Sequence, residues 1–413
     1  MNSYRLLVGR WRVGLSAVLL GLGLAACTQV AQARCGDGQC VSGETFESCR
    51  TDCALALLSD PVRVNNGPAI RGAADGDGMV VGSVYTDRGQ SVLELAFYDA
   101  KLRHSSRHAV LRRPLSGKGG LGNPHPLRGP DGSLYLAFRD HQLADDRSPI
   151  YTLRVVRSED SGRSWRYLED GQGIIDTSEV GLWEPYLYFD GERRLRVVYA
   201  NERAGKVCSR QGGKKQDIVT RVSNDQGRTW RDEQVVSGDG IFRDGVPAVT
   251  RLRDGSYLMV FESWQDGTCG QANPHLLIRS MQSSDGVHWD HRQMVFDPYV
   301  TGNRSIATWS SVVLKNDGRA VVSFTSNARN TASSTGAAQR PEAVRSFDID
   351  LLASVGEASS VPVRWDYSSL DTAVPFEPGV RQSNRFTSVT VLSDGRLVVF
   401  SGLPNRFFVT SGK

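Results

Sequence analysis

The chain has 413 residues, with 49 Lys and Arg against 45 Asp and Glu and a formal net charge of +4. Arg5, Arg10 and Arg12 lie in a leader that we expect to be removed, so the mature chain is close to neutral, and the absence of a basic stripe argues against nucleic acid as a partner. Beyond the N-terminus, no apolar run is long enough to cross a membrane.

The N-terminus has the form of a secretory signal, with arginines followed by an apolar stretch that ends at Ala26. The last residues, Leu24-Ala-Ala-Cys27, resemble the bacterial lipobox, in which the cysteine is lipidated after cleavage. A competing cleavage site lies after Ala33. We therefore expect residues 1–26 to be a signal peptide, Cys27 to carry lipid, and the protein to be exported to the outer membrane or cell surface, or otherwise secreted.

The remaining cysteines fit an oxidising compartment. Four of them lie close together in residues 27–53, at Cys35, Cys40, Cys49 and Cys53. These predict two small disulfides in a spacer, with zinc as a minority alternative and weak calcium binding left open. By parity, Cys208 and Cys269 are expected to form a third disulfide.

A hairpin repeat organises the rest of the chain. Gly181 to Glu202 contains two short apolar runs joined by a turn at Asp190-Gly191, which predicts an antiparallel β-hairpin. Similar stretches occur at Ile70 to Thr86, His125 to Asp140, Val246 to Glu262, Trp309 to Ser326 and Phe386 to Ser401. The pattern predicts an all-β, six-bladed β-propeller over residues 54–413. We expect a strand between Leu55 and Val64 to complete the last blade and close the ring.

A second motif follows the third strand of several repeats. Ser158 to Trp165 and Ser223 to Trp230 share the pattern Ser-x-Asp-x-Gly-x-Thr/Ser-Trp, and Ser283 to Trp289 is one residue shorter. These segments resemble the Asp-boxes, or BNR repeats, of the sialidase superfamily. Their carboxylates can accept backbone N–H bonds in a turn, so we assign a structural role to Asp160, Asp225 and Asp285.

Polar residues lie where the first strand of each hairpin starts and the second ends, which is one edge of an antiparallel pair. In a propeller these edges surround one mouth of the funnel, and carboxylates, arginines and aromatics there suit a carbohydrate. The candidates for substrate binding are Asn123, Arg139, Asp140, Asn201, Glu202, Trp264, Arg304 and Arg385. Glu184 and Glu262 differ from these because aromatic and proline neighbours should desolvate them, which predicts a raised pKa.

Three segments sharpen the resemblance: Trp183 to Leu187, Gln216 to Ile218, and Gly245 to Glu262. Over roughly residues 120–300 they resemble the exo-acting arabinanase and arabinofuranosidase family of retaining glycosidases, which are six-bladed propellers. The resemblance implies that Glu184 and Glu262 carry catalysis, without deciding which is the nucleophile. It implies no metal and no organic cofactor. It predicts an exo-acting glycoside hydrolase on an arabinofuranoside-type glycan.

Two alternatives remain open. A sialidase would need a tyrosine nucleophile and an arginine set, which Arg304, Arg385 and Arg71 could imitate, but Phe386 lies at the tyrosine position and has no hydroxyl. A non-catalytic carbohydrate-binding propeller is the other alternative. It would be favoured if the two glutamates point apart or if one forms an ion pair with a structural arginine. In each case we expect a monomer that contacts the membrane only through its lipid anchor.

Overall fold

The computed structural model describes residues 62–65, 69–115, 119–143, 149–168, 171–203, 215–238, 243–264, 276–298, 307–316, 318–326, 350–357, 363–374, 386–402 and 405–410. The signal peptide, Cys27, the cysteine-rich spacer, Cys208 and Cys269 therefore lie outside the described residues, as do Arg304 and Arg385. In the part of the chain that is described, no helix has the length and apolarity that a membrane span requires.

Twenty-four strands occur in the described residues. The first twelve are β1 Val62–Arg63, β2 Ala69–Asp75, β3 Gly78–Asp87, β4 Gln90–Tyr98, β5 His104–Pro114, β6 Gly120–Arg128, β7 Leu134–Leu143, β8 Pro149–Ser158, β9 Ile174–Ser178, β10 Leu182–Phe189, β11 Leu195–Asn201 and β12 Asp217–Ser223. The others are β13 Arg231–Ser237, β14 Asp244–Arg251, β15 Tyr257–Trp264, β16 Leu276–Ser283, β17 Asp290–Phe296, β18 Ala307–Leu314, β19 Ala320–Ser326, β20 Asp350–Glu357, β21 Arg364–Val374, β22 Ser388–Val391, β23 Leu397–Gly402 and β24 Asn405–Thr410.

The fold is an all-β propeller. Among the described residues the strands form six antiparallel four-stranded sheets. Five consist of four consecutive strands each: β2 to β5, β6 to β9, β10 to β13, β14 to β17, and β18 to β21. The first strands of neighbouring sheets contact one another in a closed sequence: β2, β6, β10, β14, β18, β22 and again β2. These first strands therefore surround the axis, and the later strands of each sheet lie further out.

The sixth sheet joins the two ends of the described chain. It contains β22, β23, β24 and β1, with Val62 opposite Phe407 and Arg63 opposite Arg406. The closing strand predicted from the sequence is present, and two of its described residues pair. Phe407 is fully buried and meets Tyr98 of the first sheet edge-on, with ring centroids 5.2 Å apart. The core between the first and last sheets thus continues across the closure.

An irregularity recurs in the inner strands. The register of β6, β10, β14 and β18 against the next strand shifts near the start of each, which marks a β-bulge. A residue with positive φ lies at each shift, and a further one precedes β22: Asn123 (47°), Glu184 (48°), Val246 (50°), Trp309 (53°) and Phe386 (54°). A bulge redirects a side chain from the regular alternation of a strand. These five positions therefore point differently from their neighbours.

The three Asp-boxes lie in the turns between the third and fourth strands of their sheets. The carboxylate of Asp225 accepts a bond from the backbone N–H of Thr229 at 2.9 Å and one from the Thr229 hydroxyl at 2.6 Å. Asp160 makes the equivalent bonds to Ser164, and Asp285 accepts from the backbone N–H groups of Val287 and His288. The Asp-box tryptophans pack against the cores between neighbouring sheets. Because these carboxylates accept hydrogen bonds from residues of their own turns, their role is to stabilise the turns.

Candidate active site

The end of the axis where the inner strands start contains a cavity of about 340 Å³. Six of the polar and aromatic side chains that line it are Asn123, Arg139, Glu184, Glu202, Arg243 and Phe386. Its base is a narrow layer to which each of the six sheets contributes: Arg71, Asn123, Glu184, Val246, Trp309 and Phe386. A wider cavity of about 600 Å³ lies toward the opposite end of the axis, and neither Glu184 nor Glu262 lines it.

Glu184 owes its position to the bulge in β10. The register passes from Trp183, opposite Ala200, to Tyr186, opposite Val198, so Glu184 and Pro185 form the extra segment. The glutamate has φ of 48° and is half-buried in the cavity. A non-glycine residue in this backbone region costs free energy, and such residues concentrate at functional sites. The strain at Glu184 therefore supports a function for its carboxyl.

Burial raises the pKa of Glu184 from 4.5 to about 7, because the charged form is poorly solvated in the cavity. The nearby charge of Glu262 raises it further, whereas the charges of Arg243, Arg71 and Arg139 oppose the rise. The two glutamates therefore lie close enough for the charge of one to act on the ionisation of the other. The expectation of a raised pKa is confirmed for Glu184.

Glu262 lies near the end of β15, opposite Gly245, and is only 3% exposed. Its Oε1 accepts a bond from Arg243 Nη1 at 2.9 Å. Its Oε2 accepts bonds from the hydroxyl of Thr308 and from the backbone N–H of Trp309, the latter at 3.1 Å. Three donors from two sheets hold this carboxylate in a fixed orientation.

Arginines surround Glu184. Arg71 donates to the carbonyl of Pro185 at 3.1 Å, directly after the glutamate, and lies 5.8 Å from the centre of the Tyr186 ring. Arg139 lies over the Trp183 ring at 5.2 Å. Burial lowers the pKa of both arginines, and the charge of Glu184 acts in the opposite direction. The positive charges of these arginines therefore offset the negative charge of the two glutamates in the site.

Glu202 follows β11 and supports the cavity wall. It accepts bonds from Trp183 Nε1 at 2.9 Å, from Gln216 Nε2 at 3.1 Å and from the backbone N–H of Gly181 at 3.2 Å. It lies in the cavity, where the sequence placed it, and it fixes the orientation of Trp183.

Several atoms in the cavity wall are buried and make no hydrogen bond within the described residues. They are Asn123 Oδ1, Gln216 Oε1 and Arg139 Nε. Buried polar atoms are nearly always paired, so three unpaired ones around one cavity call for an explanation. A ligand rich in hydroxyl groups could both donate to the two amide oxygens and accept from the guanidinium.

Three of the predicted substrate-binding residues need correction. Asp140 is fully buried and forms ion pairs with Arg154 at 3.0 Å and Arg113 at 3.3 Å, so its carboxylate joins neighbouring strands. The Oδ1 of Asn201 accepts the backbone N–H of Arg203 at 2.8 Å and stabilises the turn after β11. Trp264 is buried, with its ring 5.5 Å from Arg243. These side chains position others and do not line the cavity.

Arg243 was not among the residues predicted for the site, and Gln216 was recognised only as part of a motif. Gln216 pairs with Arg243 through an isolated bridge between neighbouring sheets, and its carbonyl accepts the backbone N–H of Asp244 at 3.0 Å. The sequence signal was the position of Arg243 directly before the Asp244-Gly245-Val246-Pro247 strand start. Residues at the strand starts of other repeats were predicted as site residues for that reason.

Comparison with known proteins gives the fold and no close relative. No protein-family model matches the chain, and no curated protein matches it. Among solved structures, the GH93 α-L-arabinofuranosidase of Fusarium graminearum in complex with arabinobiose is 13% identical with a TM-score of 0.57, covering 85% of this chain and 97% of that one. The Penicillium chrysogenum α-L-arabinanase complexed with arabinobiose is 16% identical with a TM-score of 0.52, covering 85% and 98%.

A sialidase structure is similar as well. The K499G mutant of the NanB sialidase from Streptococcus pneumoniae is 9% identical with a TM-score of 0.52, and the match covers 84% of this chain and 70% of that one. The structural neighbours are thus glycosidases with the same kind of propeller, as the resemblance in the sequence implied. At these identities the likeness shows the fold alone.

The raised pKa of Glu184 makes stability depend on pH. The folded protein holds this proton to about pH 7, whereas the unfolded chain releases it near 4.5. Between these values the unfolded state binds fewer protons, so the contribution of this group to the free energy of unfolding falls as pH rises, and it levels off above about 7. Glu184→Gln stays neutral, so we expect its melting temperature to rise relative to wild type between about pH 4 and pH 8.

Thermal denaturation of both proteins across this range measures the effect. Glu192→Gln is the control, since Glu192 is exposed in the hairpin turn of the same sheet. A difference between Glu184→Gln and wild type that is the same at both ends of the range would contradict the raised pKa.

Proposed function

We propose that this protein is an exo-acting, retaining glycoside hydrolase built on a six-bladed propeller, with an arabinofuranoside-type glycan as its substrate. The observation that carries the proposal is a pair of glutamates with unlike surroundings: Glu184 lines the cavity, and Glu262 lies beside its wall, bound to Arg243, which lines it. Burial raises the pKa of Glu184 to about 7, whereas Glu262 is held by three donors. Two carboxyl groups in unlike environments are the arrangement that divides acid and nucleophile roles.

In this mechanism Glu184 is the general acid and base. Its raised pKa lets it keep a proton near neutral pH, which it gives to the glycosidic oxygen as the bond to the anomeric carbon breaks. The carboxylate of Glu262 attacks the anomeric carbon and forms a glycosyl ester. Glu184, now ionised, removes a proton from water, which attacks the same carbon and releases Glu262. For retention we expect the two carboxyl groups to be about 5–5.5 Å apart.

The polar wall supports a sugar as the ligand. Unpaired atoms of Asn123, Gln216 and Arg139 lie around the same cavity as Glu184. The fold likeness to an arabinofuranosidase and an arabinanase, both solved with arabinobiose, supports the choice of sugar.

A panel of nitrophenyl glycosides tests the proposal, with α-L-arabinofuranoside and a sialoside included, followed by NMR of the product. We expect nitrophenol release from the arabinofuranoside, with the anomeric configuration of the first product the same as in the substrate. Inversion would contradict the assigned roles, and release from the sialoside alone would contradict the substrate.

One observation favours a second candidate, a carbohydrate-binding propeller without turnover. Glu262 forms an ion pair with Arg243, and an ion pair between one of the glutamates and a structural arginine would favour binding without catalysis. Catalysis remains the stronger proposal because Arg243 itself lines the cavity and acts on the ionisation of Glu184, so it belongs to the site. Binding of arabinobiose without hydrolysis of any glycoside in the panel would support the second candidate. The sialidase alternative has less support, since Phe386 lines the cavity and offers no nucleophile.

We also propose that the protein is exported and anchored through a lipid on Cys27, with a cysteine-rich spacer at residues 27–53 and a monomeric propeller. The support is the sequence pattern alone. The intact mass of protein from the membrane fraction distinguishes an acylated chain that begins at Cys27 from an unmodified chain that begins at Arg34.

A further inference from the structure

The base of the cavity has two unlike halves. Arg71, Asn123 and Glu184 form a polar half. Val246, Trp309 and Phe386 form an apolar half, and all three have φ near +50°. Bulky side chains rarely adopt this backbone conformation, because it brings the side chain close to the backbone. The intrinsic backbone preferences of these three apolar residues therefore do not explain their positive φ at the base of a polar cavity.

Trp309 and Phe386 contact each other. Their ring centroids are 4.9 Å apart and their planes are inclined by 39°. Both side chains are half-buried, and neither belongs to the hydrophobic cores between the sheets. Phe386 also lines the 340 Å³ cavity together with Glu184. Phe386 therefore presents an aromatic surface to the cavity, and Trp309 packs against it in the narrow layer at the base.

The aromatic surface is tied to the second glutamate through the backbone. The N–H of Trp309 and the hydroxyl of Thr308, its neighbour in β18, both donate to Oε2 of Glu262. The bulge that presents the indole ring thus also orients the carboxylate. A ring stacked on the aromatic surface would be held in a fixed relation to Glu262.

We propose that Phe386, packed against Trp309, forms a stacking platform for C–H and methylene groups of the terminal sugar, and that Phe386 determines which sugars bind. The inference rests on the proposed function, because it identifies how the substrate of that site is oriented. With these groups on the platform, the hydroxyl edge of the sugar is directed to Asn123, whose Oδ1 is unpaired, and to Glu184. The ligand class is a neutral sugar that presents ring C–H or methylene groups to an aromatic ring, such as an arabinofuranoside through its C5 methylene.

Calorimetric titration with arabinobiose, in the Glu184→Gln background where turnover is removed, tests the platform. We expect Phe386→Ala to weaken binding about tenfold, Phe386→Leu to weaken it less, and Phe386→Tyr to keep it near the reference, because the tyrosine ring still stacks. In the otherwise wild-type protein, Phe386→Ala should raise KM by about the same factor and change kcat less. Val235→Ala, at an exposed apolar position in β13, is the control that should change neither.

Two results separate the failure of this inference from that of the proposed function. If arabinobiose binds and both Phe386→Ala and Phe386→Leu bind it as tightly as the reference, the platform is wrong and the glycosidase proposal stands. If the reference protein binds no arabinobiose and the wild type hydrolyses no glycoside in the panel, both proposals are overturned. Phe386→Leu keeps the test valid if Phe386→Ala does not fold.

Discussion

Glu184→Gln is expected to lower kcat on arabinobiose by about 10³-fold and to leave the fold intact, because the half-buried amide fills the same space but supplies no proton. Glu262→Gln is expected to cause a loss at least as large, since an amide cannot attack the anomeric carbon. Glu192→Gln makes the same chemical change in the exposed hairpin turn of the blade that carries Glu184, and should have wild-type kcat. Steady-state kinetics of the three variants, with circular dichroism to verify folding, measures these effects.

The leaving group distinguishes the two roles. Nitrophenol departs without receiving a proton, so kcat/KM of Glu184→Gln should fall much less on the nitrophenyl glycoside than on arabinobiose, while its kcat stays low on both because the attack of water still needs a base. Glu262→Gln should be equally impaired on both substrates. The reverse pattern would exchange the two roles. Near-normal turnover in both variants would eliminate the pair as the catalytic residues.

Arg243→Met is expected to have the second large effect, and it acts on stability and catalysis together. Glu262 is 3% exposed, and removal of its arginine leaves a buried carboxylate without an ionic partner. Breaking a buried ion pair from one side typically costs about 3–5 kcal/mol, and we expect about 3 kcal/mol here because Arg243 is partly exposed. The charge of Arg243 also lowers the pKa of Glu184, so its loss should raise that pKa and move the alkaline limit of the pH–rate profile upward.

Urea denaturation and the pH dependence of kcat/KM measure the two effects. Arg243→Lys should recover part of both, since it keeps the charge. Arg251→Met is the matched control: Arg251 also lies over an aromatic ring, that of Tyr257 at 5.8 Å, but at the other end of the axis. Wild-type stability together with an unmoved alkaline limit in Arg243→Met would show that the ion pair supports neither the fold nor the site.

The repeat in the sequence was sufficient to predict the sheets. Each apolar run with an Asp-Gly turn forms two neighbouring strands, because alternation and turn chemistry are local properties of the chain. The prediction of ring closure also held, because it follows from the need to pair the edges of the sheet rather than from a motif. Within the described residues, Val62 and Arg63 are the part of the predicted strand that pairs with β24.

The bulges could not be predicted. Asn123, Glu184 and Val246 each precede a proline, and a residue before proline is normally biased toward an extended conformation. At Glu184, the bond from Arg71 to the carbonyl of Pro185 crosses the axis, and no local pattern of the sequence contains it. The neighbours of Glu184 therefore predicted it as a site residue, but the sequence did not predict its backbone conformation.

The errors at Asp140 and Asn201 have a common cause. The end of a strand fixes the edge at which a residue lies, but not the direction of its side chain, since successive residues point to opposite faces. Asp140 meets arginines from two neighbouring strands, and these contacts depend on tertiary packing. Arg243 was missed for the same reason: its role depends on its proximity to Glu262, which lies on the next strand of the sheet.

The closing sheet also constrains the order of folding. Its pairing of Val62 with Phe407 joins segments that most of the chain separates, and such long-range contacts cost the loop-closure entropy of everything between them. The first five sheets can each form from neighbouring strands, whereas the sixth cannot be completed before β24 has been synthesised. Until then, β1 and one edge of β23 lack the strand that pairs with them. Chains stalled or cut before β24 should therefore accumulate as species prone to edge-to-edge association, and closure should be among the slowest steps in folding.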